Sequence, residues 1–194
     1  AAAVRTLTEA RVYSPNPDSR ARFAAEWSAR LGLEVVAMDT AARAVAGADV
    51  VLAATNALDP VFAAEWAEPG MHLGCVRQHE LGAQLLERAS VVAVNAHEGV
   101  PVHVLHPSAA EHPELRDGLG WAGAAADTIS GRPLLADVVS GGHPGRTGRD
   151  EITVFLNNIG LGAQFAAVGA RLLTAAARAG QDLPTEWFTQ DVHP

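Results

Sequence analysis

Strand-like and helix-like segments alternate through the first half of the chain. Short runs rich in apolar and β-branched residues occupy residues 10–14, 33–38, 49–54, 71–76 and 90–94. Helix-like stretches separate these runs. Strands that alternate with helices at this spacing along the chain form a parallel sheet covered by helices on both faces, and the strand–helix–strand connections are right-handed. The run at 49–54, DVVLAA, is apolar throughout, which is typical of a strand buried on both faces. We therefore predict an α/β fold with a Rossmann-like, doubly wound parallel sheet.

Cap residues and periodicity define the helices. Asn16 is a favoured helix cap, and Pro17 suits the first helical position because its missing N–H has no partner there. Phe23, Trp27 and Leu31 follow at intervals of four and share one helical face. Further helices are predicted at residues 40–47, 62–68, 80–89 and 164–179. The βα pattern stops near residue 97, and a last strand follows at 151–156.

Charge and cysteine content limit the classes of partner and compartment. The formal net charge of −8 disfavours a nucleic-acid or anionic-membrane partner. The chain has neither an apolar run of the roughly 18 residues that a membrane span needs nor a signal-peptide pattern. One cysteine, Cys75, excludes an intramolecular disulfide and fits a reducing compartment, so we predict a cytoplasmic protein.

The segment ARVYSPNPDSR, residues 10–20, leads from a strand into a helix. In dinucleotide folds the second strand ends at the cofactor ribose, and a glycine loop lies about 20 residues upstream. If residues 33–39 were that second strand, Asp39 would bind the ribose, but SPNPDSRAR, without glycine, stands in the loop position. Residues 12–14 are therefore the predicted second strand. The first strand and its glycine loop are expected upstream of residue 1, where the chain opens on AAAV like the end of a helix.

Four stretches carry a resemblance to a known family. They read ARVYSPNPDSRARFAAEW, AVAGADVVLAATNALDPVF, WAEPGMHLGCV and DEITVFLNNIGLGAQFAAVGA. The chain resembles the ornithine cyclodeaminase/mu-crystallin family, whose second strand has the pattern V-Y-(D/S/N)-(R/P)-x-P. The resemblance implies an incomplete dinucleotide-binding domain at residues 1–150 and a return at 151–194 to a substrate and dimerisation domain. It also implies NADP or NAD as cofactor, a small amino acid or imine as substrate, and a homodimer.

The resemblance assigns the turn after the first strand-like run to the cofactor. Ser14 stands where NAD-preferring members carry an acid, so Ser14 and Asn16 together indicate a turn that tolerates a 2′-phosphate. Arg20 or Arg22 would supply the charge partner, and NADP is the predicted preference. Ser14 as an ordinary turn residue and Asn16 as a helix cap alone remain the alternatives.

Five further residues are assigned to the cofactor by the same resemblance. Thr55 and Asn56 would lie beside the nicotinamide ribose and Val76 near the ring, although Thr55 and Asn56 also suit a plain polar strand end. Asn157 and Asn158 stand where the family usually has Lys-Ser. Their amides would hold the carboxamide or the substrate, or would cap a helix beginning near residue 159.

The loop after the strand at 71–76 departs from the family. The family carries an acid/base aspartate there, whereas this chain has the shorter MHLGCVRQHEL. His79 is a candidate acid/base and Arg77 a candidate carboxylate ligand, while Glu80 is interpreted as a first-turn helix acid. The missing aspartate makes ornithine cyclisation doubtful. We predict hydride transfer at the Cα–N bond of an amino acid or cyclic imine. A cyclodeaminase-type lyase and a non-catalytic NAD(P)-binding protein are the alternatives.

Three other features have simpler interpretations. His103, His106 and His112 lie among prolines without a zinc-protease spacing, so no metal site is predicted and a metal-dependent enzyme is the remaining rival. The glycine-rich segment at 140–151 lacks the phosphate-loop pattern and is predicted to lead into the strand at 151–156. Cys75 within a buried strand is predicted to be an inert core thiol.

Overall fold

Two compact units make up the chain, Ala1–Ile159 and Gly160–Pro194. The computed structural model describes residues 5–55, 57, 59–97, 129–158 and 162–181. The last strand of the chain belongs to a sheet of the first unit. The assignment of the two segments to dinucleotide and substrate domains stays a prediction.

Parallel strands form the centre of the first unit. Its described strands are β1 Ala10–Val12, β2 Val35–Ala37, β3 Val50–Ala53, β4 His72–Cys75, β5 Val91–Val94 and β6 Thr153–Leu156. β1 pairs with β2, and a second sheet has the order β3-β4-β6-β5. Every pairing is parallel. Each strand lies within a run predicted from the sequence, and the predicted parallel α/β fold is confirmed.

Apart from α1, the helices predicted in the first unit are shorter than their sequence patterns indicate. The described α-helices are α1 Pro17–Leu31, α2 Ala41–Val45, α3 Ala83–Arg88 and α4 Leu135–Ser140, with 3-10 turns at Ala64–Trp66 and Gln78–Glu80. The predicted helices at 62–68 and 80–89 were therefore wrong in extent. Phe62 and Leu81 form a parallel bridge, and Val61 N–H donates to the Glu80 carbonyl over 2.9 Å. This pairing keeps both segments extended, so α3 begins only at Ala83.

Helix α1 begins and ends as its residues predict. Asn16 Oδ1 accepts from Ser19 N–H over 2.9 Å, and Gly32 ends the helix with φ +60°. The helix is tied to β2 by Ser28, whose Oγ accepts from Val35 N–H over 2.9 Å. Ala24 is its buried residue, whereas Phe23 is 46% exposed although its ring lies 5.7 Å from that of Trp27.

The core surrounds the two central strands of the four-stranded sheet. Leu73 of β4, Leu156 of β6 and Leu85 of α3 have no exposed surface. At the sheet edge, Ala53 is buried but Leu52 is 66% exposed. The prediction that β3 is buried on both faces was therefore wrong, because β3 is an edge strand of this sheet and nothing among the described residues covers the Leu52 side chain.

Arg146 organises the amino ends of β4 and β6. Its guanidinium donates to the carbonyls of Gly70 over 2.6 Å and Met71 over 3.2 Å, and to Thr153 Oγ1 over 3.1 Å. Thr153 Oγ1 is also 2.8 Å from His72 Nδ1. The predicted role of residues 140–151 as a loop leading into β6 is confirmed.

The His72 ring should make stability depend on pH. Burial, with the nearby charges of Arg146 and Arg5, lowers the pKa of His72 below its ordinary value. A histidine in the unfolded chain has a pKa of about 6.5, above that of folded His72, so protonation of the ring favours unfolding. The stability that the neutral His72 ring allows is complete above that pH, and it is lost as the pH falls towards the lower pKa of the folded state. We expect the free energy of unfolding, measured in urea, to decrease between pH 7.5 and pH 5.5, and to decrease less in His72→Gln. Identical decreases in both proteins would contradict this assignment.

The described part of the second unit is helix α5, Gly162–Arg178. Its bounds agree closely with the helix predicted at 164–179, and Phe165, Val168 and Leu172 along it are exposed. None of the helices that the structure describes is long and apolar enough to cross a membrane. Residues 183–194 lie outside the described residues.

Candidate functional site

Chemistry-bearing side chains gather at the carboxyl ends of the strands. Open parallel sheets bind ligands at that edge, at the point where the strand order reverses direction. Here the described strands form two sheets, β1-β2 and β3-β4-β6-β5, with no hydrogen-bonded pairing between β1 and β3. The segments that follow β1, β3 and β4 are therefore the candidate site.

The turn after β1 is held by its own side chains. Arg20 Nη1 donates to the Ser14 carbonyl over 2.8 Å, and its guanidinium lies 5.9 Å from the centre of the Tyr13 ring. Asn16 caps α1, as one of the two interpretations of its side chain predicted. The Ser14 hydroxyl is partly buried and makes no hydrogen bond with the described residues. Its cofactor role, like those of Asn16 and Arg20, stays a prediction.

Glu80 joins the ends of β3 and β4. Its Oε1 accepts from Thr55 N–H over 2.5 Å and from the Thr55 hydroxyl over 2.7 Å. Its Oε2 accepts from Val76 N–H over 3.0 Å and Arg77 N–H over 2.8 Å. The Glu80 residue is fully buried, whereas Thr55 is exposed and Val76 is 56% exposed. The carboxylate therefore lies beneath two of the predicted cofactor residues.

Glu80 is a first-turn acid, as predicted, but of the 3-10 turn Gln78–Glu80, whose cap Arg77 donates its N–H to the carboxylate, and not of α3, which begins three residues later. Burial alone raises the pKa of this carboxyl, but the hydrogen bonds from Thr55, Arg77 and Val76 outweigh it and hold the pKa below its ordinary value. The sequence pattern did not distinguish this buried role from that of an exposed first-turn acid.

His79 and Arg77 lie beside this carboxylate. His79 Nε2 is 2.7 Å from the Ala57 carbonyl oxygen, so that nitrogen donates the hydrogen bond. Arg77 is partly buried, and its backbone carbonyl accepts from Glu80 N–H over 3.1 Å. The acid/base role of His79 and the carboxylate-binding role of Arg77 stay predictions. Asn56 lies outside the described residues.

Three asparagines connect the ends of β4, β5 and β6. Asn158 Oδ1 accepts from Asn95 N–H over 2.9 Å, and its Nδ2 donates to the Ala96 carbonyl over 2.7 Å. Asn157 Oδ1 accepts from Asn95 Nδ2 over 2.8 Å, and its Nδ2 donates to the Val76 carbonyl over 3.2 Å. These amides hold the strand ends together, and Asn95 was not singled out from the sequence. Cofactor roles for Asn157 and Asn158 stay predictions.

Cys75 should resist alkylation in the folded protein. Burial is the main cause that raises the pKa of its thiol to about 11. A free thiol has a pKa of about 8.5, and only its thiolate form reacts with iodoacetamide. We therefore expect the folded protein at pH 8 to react at least about 100-fold more slowly than the unfolded protein. Mass spectrometry of timed samples measures both rates. Rapid labelling without denaturant would contradict the buried-thiol interpretation.

The described residues include no group of three or more histidine, cysteine or acidic side chains placed to hold a metal ion. His103, His106 and His112, the residues of the rival metal hypothesis, lie outside the described residues.

A sequence profile decides the family. The profile of the ornithine cyclodeaminase/mu-crystallin family matches residues 1–174 of the 194. The chain belongs to this family. The resemblance predicted from the four sequence stretches is thereby confirmed.

Three members with known names or structures are similar to this chain. A Δ1-pyrroline-2-carboxylate reductase of Bacillus cereus is 27% identical over 183 residues, 92% of this chain and 53% of that protein. The Thermococcus litoralis enzyme of the same name, solved with NADH and L-proline, has a TM-score of 0.71 at 28% identity, with 94% of this chain and 54% of that one covered. The iminosuccinate reductase of Paracoccus denitrificans, solved with NAD+, has a TM-score of 0.66 at 26% identity, with 92% and 52% covered. The chain therefore spans about half the length of these relatives.

Proposed function

We propose that the full-length protein is an NAD(P)-dependent oxidoreductase that transfers hydride at the Cα–N bond of an amino acid or cyclic imine. The observation that carries the proposal is that the described strands form two parallel sheets with an interruption, the missing hydrogen-bonded pairing between β1 and β3. The turn at Ser14 follows one side of this interruption, and the exposed Thr55 follows the other. A strand with a glycine loop, from a part of the protein outside this chain, would complete a dinucleotide site between them.

The residues present fit the two ends of a dinucleotide. At the adenosine end, Ser14 offers a hydroxyl in place of the carboxylate of NAD-preferring family members. The Arg20 guanidinium donates to the Ser14 carbonyl over 2.8 Å. This arrangement supports a preference for NADP over NAD, because a carboxylate would repel the 2′-phosphate and a hydroxyl would not. At the other end, Thr55 and Val76 would orient the nicotinamide. The cofactor supplies or accepts the hydride, and the protein supplies position and a proton.

The substrate end is proposed from the turn after β4. Arg77 would bind the substrate carboxylate, and His79, whose Nε2 is occupied by the Ala57 carbonyl, would exchange a proton through Nδ1. The reductases among the relatives act on imines that carry a carboxylate, as their names state. The proposal extends to a homodimer in the cytoplasm, and sedimentation of the full-length protein tests the dimer.

Two experiments test the proposed function. The first is titration of the full-length protein with NADPH and NADH by fluorescence. We expect both to bind and NADPH to bind more tightly, and absence of binding by either would refute the proposal. The second is oxidation of NADPH with Δ1-pyrroline-2-carboxylate, using the same ring without the carboxylate as the matched control. Release of ammonia from ornithine would instead favour the lyase, and cofactor binding without turnover of any imine or amino acid would favour a non-catalytic binding protein.

A further inference from the structure

We propose that Glu80 is the positioning residue of the nicotinamide end of the site, and this inference rests on the proposed function. Its carboxylate touches neither end of a cofactor. It acts by holding two segments, the one that follows β3 and the one that follows β4, in a single arrangement.

The hydrogen bonds of this carboxylate are divided evenly between the two segments. Among the described residues, one oxygen accepts from Thr55, through the backbone N–H and the hydroxyl, and the other accepts from the N–H groups of Val76 and Arg77. Four donors saturate the acceptor sites that a buried carboxylate offers in this geometry. Glu80 therefore fixes the spacing between Thr55 and Val76, the two exposed residues proposed to orient the nicotinamide.

The Glu80 backbone is anchored independently of the site. Its carbonyl accepts from Val61 N–H over 2.9 Å, and the next residue, Leu81, is buried and pairs with Phe62. The side chain therefore extends from the buried core towards the two strand ends. Because the residue has no exposed surface, it cannot exchange protons with a substrate, which distinguishes it from a catalytic acid.

A glutamine cannot replace this carboxylate. Each oxygen accepts two hydrogen bonds, so a side-chain NH2 group in either position would face donors and leave backbone N–H groups unpaired. The segment on that side would shift. An aspartate would keep the charge, but its shorter side chain could not reach both segments at once.

The test compares a whole dinucleotide with its adenosine half. In the full-length protein, Glu80→Gln is expected to weaken binding of the preferred reduced dinucleotide by about 10- to 100-fold, from the usual cost of unpaired buried groups. Binding of the adenosine half, 2′,5′-ADP (or 5′-AMP if NADH is preferred), should be unchanged, because that half contacts the turn after β1. Glu80→Asp should fall between the wild type and Glu80→Gln, and it decides the question if the glutamine variant does not fold.

The exposed Glu87 provides the matched control. Glu87→Gln makes the same chemical change on α3 and should bind both ligands like the wild type. Equal weakening of dinucleotide and adenosine half in the Glu80 variants would indicate a general loss of structure and overturn the inference, as would unchanged dinucleotide binding. Failure of the wild type to bind any dinucleotide would refute the proposed function itself, a result distinct from either of these.

Discussion

Replacing Ser14 with aspartate is expected to reverse the cofactor preference of the full-length protein. The Ser14 side chain is partly buried at the end of β1, and its carbonyl is fixed by Arg20. A carboxylate there would repel the 2′-phosphate of NADPH and accept hydrogen bonds from the ribose hydroxyls of NADH. We expect the ratio of the NADPH and NADH dissociation constants to change by about 100-fold, which corresponds to about 2.7 kcal/mol.

Ser14→Asn is the matched control, because asparagine is close in size to aspartate but carries no charge. It should preserve the preference for NADPH. The charge partner is identified by a second pair of variants. Arg20→Gln should weaken NADPH binding and leave NADH binding nearly unchanged, whereas Arg22→Gln, at an exposed position without a hydrogen bond to the turn, should change neither. A wild-type protein that binds NADH more tightly would contradict the interpretation of Ser14.

Gly70→Ala is expected to destabilise the first unit strongly. Gly70 has φ +83°, and a Cβ atom there would lie 2.9 Å from the Arg149 carbonyl oxygen. Its own N–H donates to the Asp150 carbonyl over 3.0 Å, so the backbone cannot move away without losing that bond. Left-handed strain and the clash together should lower the free energy of unfolding by about 3–4 kcal/mol.

Gly47→Ala separates the clash from the strain. Gly47 has φ +66°, but a Cβ atom there would meet no atom within 4 Å. Only the strain should remain, about 1–2 kcal/mol. Urea unfolding of the two variants measures the difference, with an unchanged slope showing that the same surface is exposed. Equal destabilisation would mean that the loop at 146–150 yields to the added methyl group.

Local patterns predicted the strands and the first helix well. The strand runs, the Asn16 cap and the Gly32 end depend on residues within a few positions of one another, and the structure follows them. The helices at 62–68 and 80–89 were overestimated for the converse reason. The bridge between Phe62 and Leu81 joins segments 19 positions apart, and it outweighs the local helical preference.

The site was only partly predictable. The sequence placed Thr55 and Val76 at neighbouring strand ends, because parallel strands present their carboxyl ends at one edge. The sequence did not indicate that Glu80 lies beneath Thr55 and Val76, because the residue type alone does not show whether a glutamate near a helix start is buried or exposed. It also did not indicate that Asn158 would bond to the backbone at residues 95 and 96, because nothing local shows that β6 lies beside β5.

The sequence by itself determined the fold class, the family and the turn at Ser14, because each depends on the order and spacing of residues along the chain. The tertiary structure alone decided that β6 enters the sheet between β4 and β5, that the described strands β1 and β2 form a separate sheet, and that Glu80 joins two strand ends. Strand order and burial depend on contacts between distant segments. Those contacts are selected by the packing of the whole core and not by any one stretch of residues.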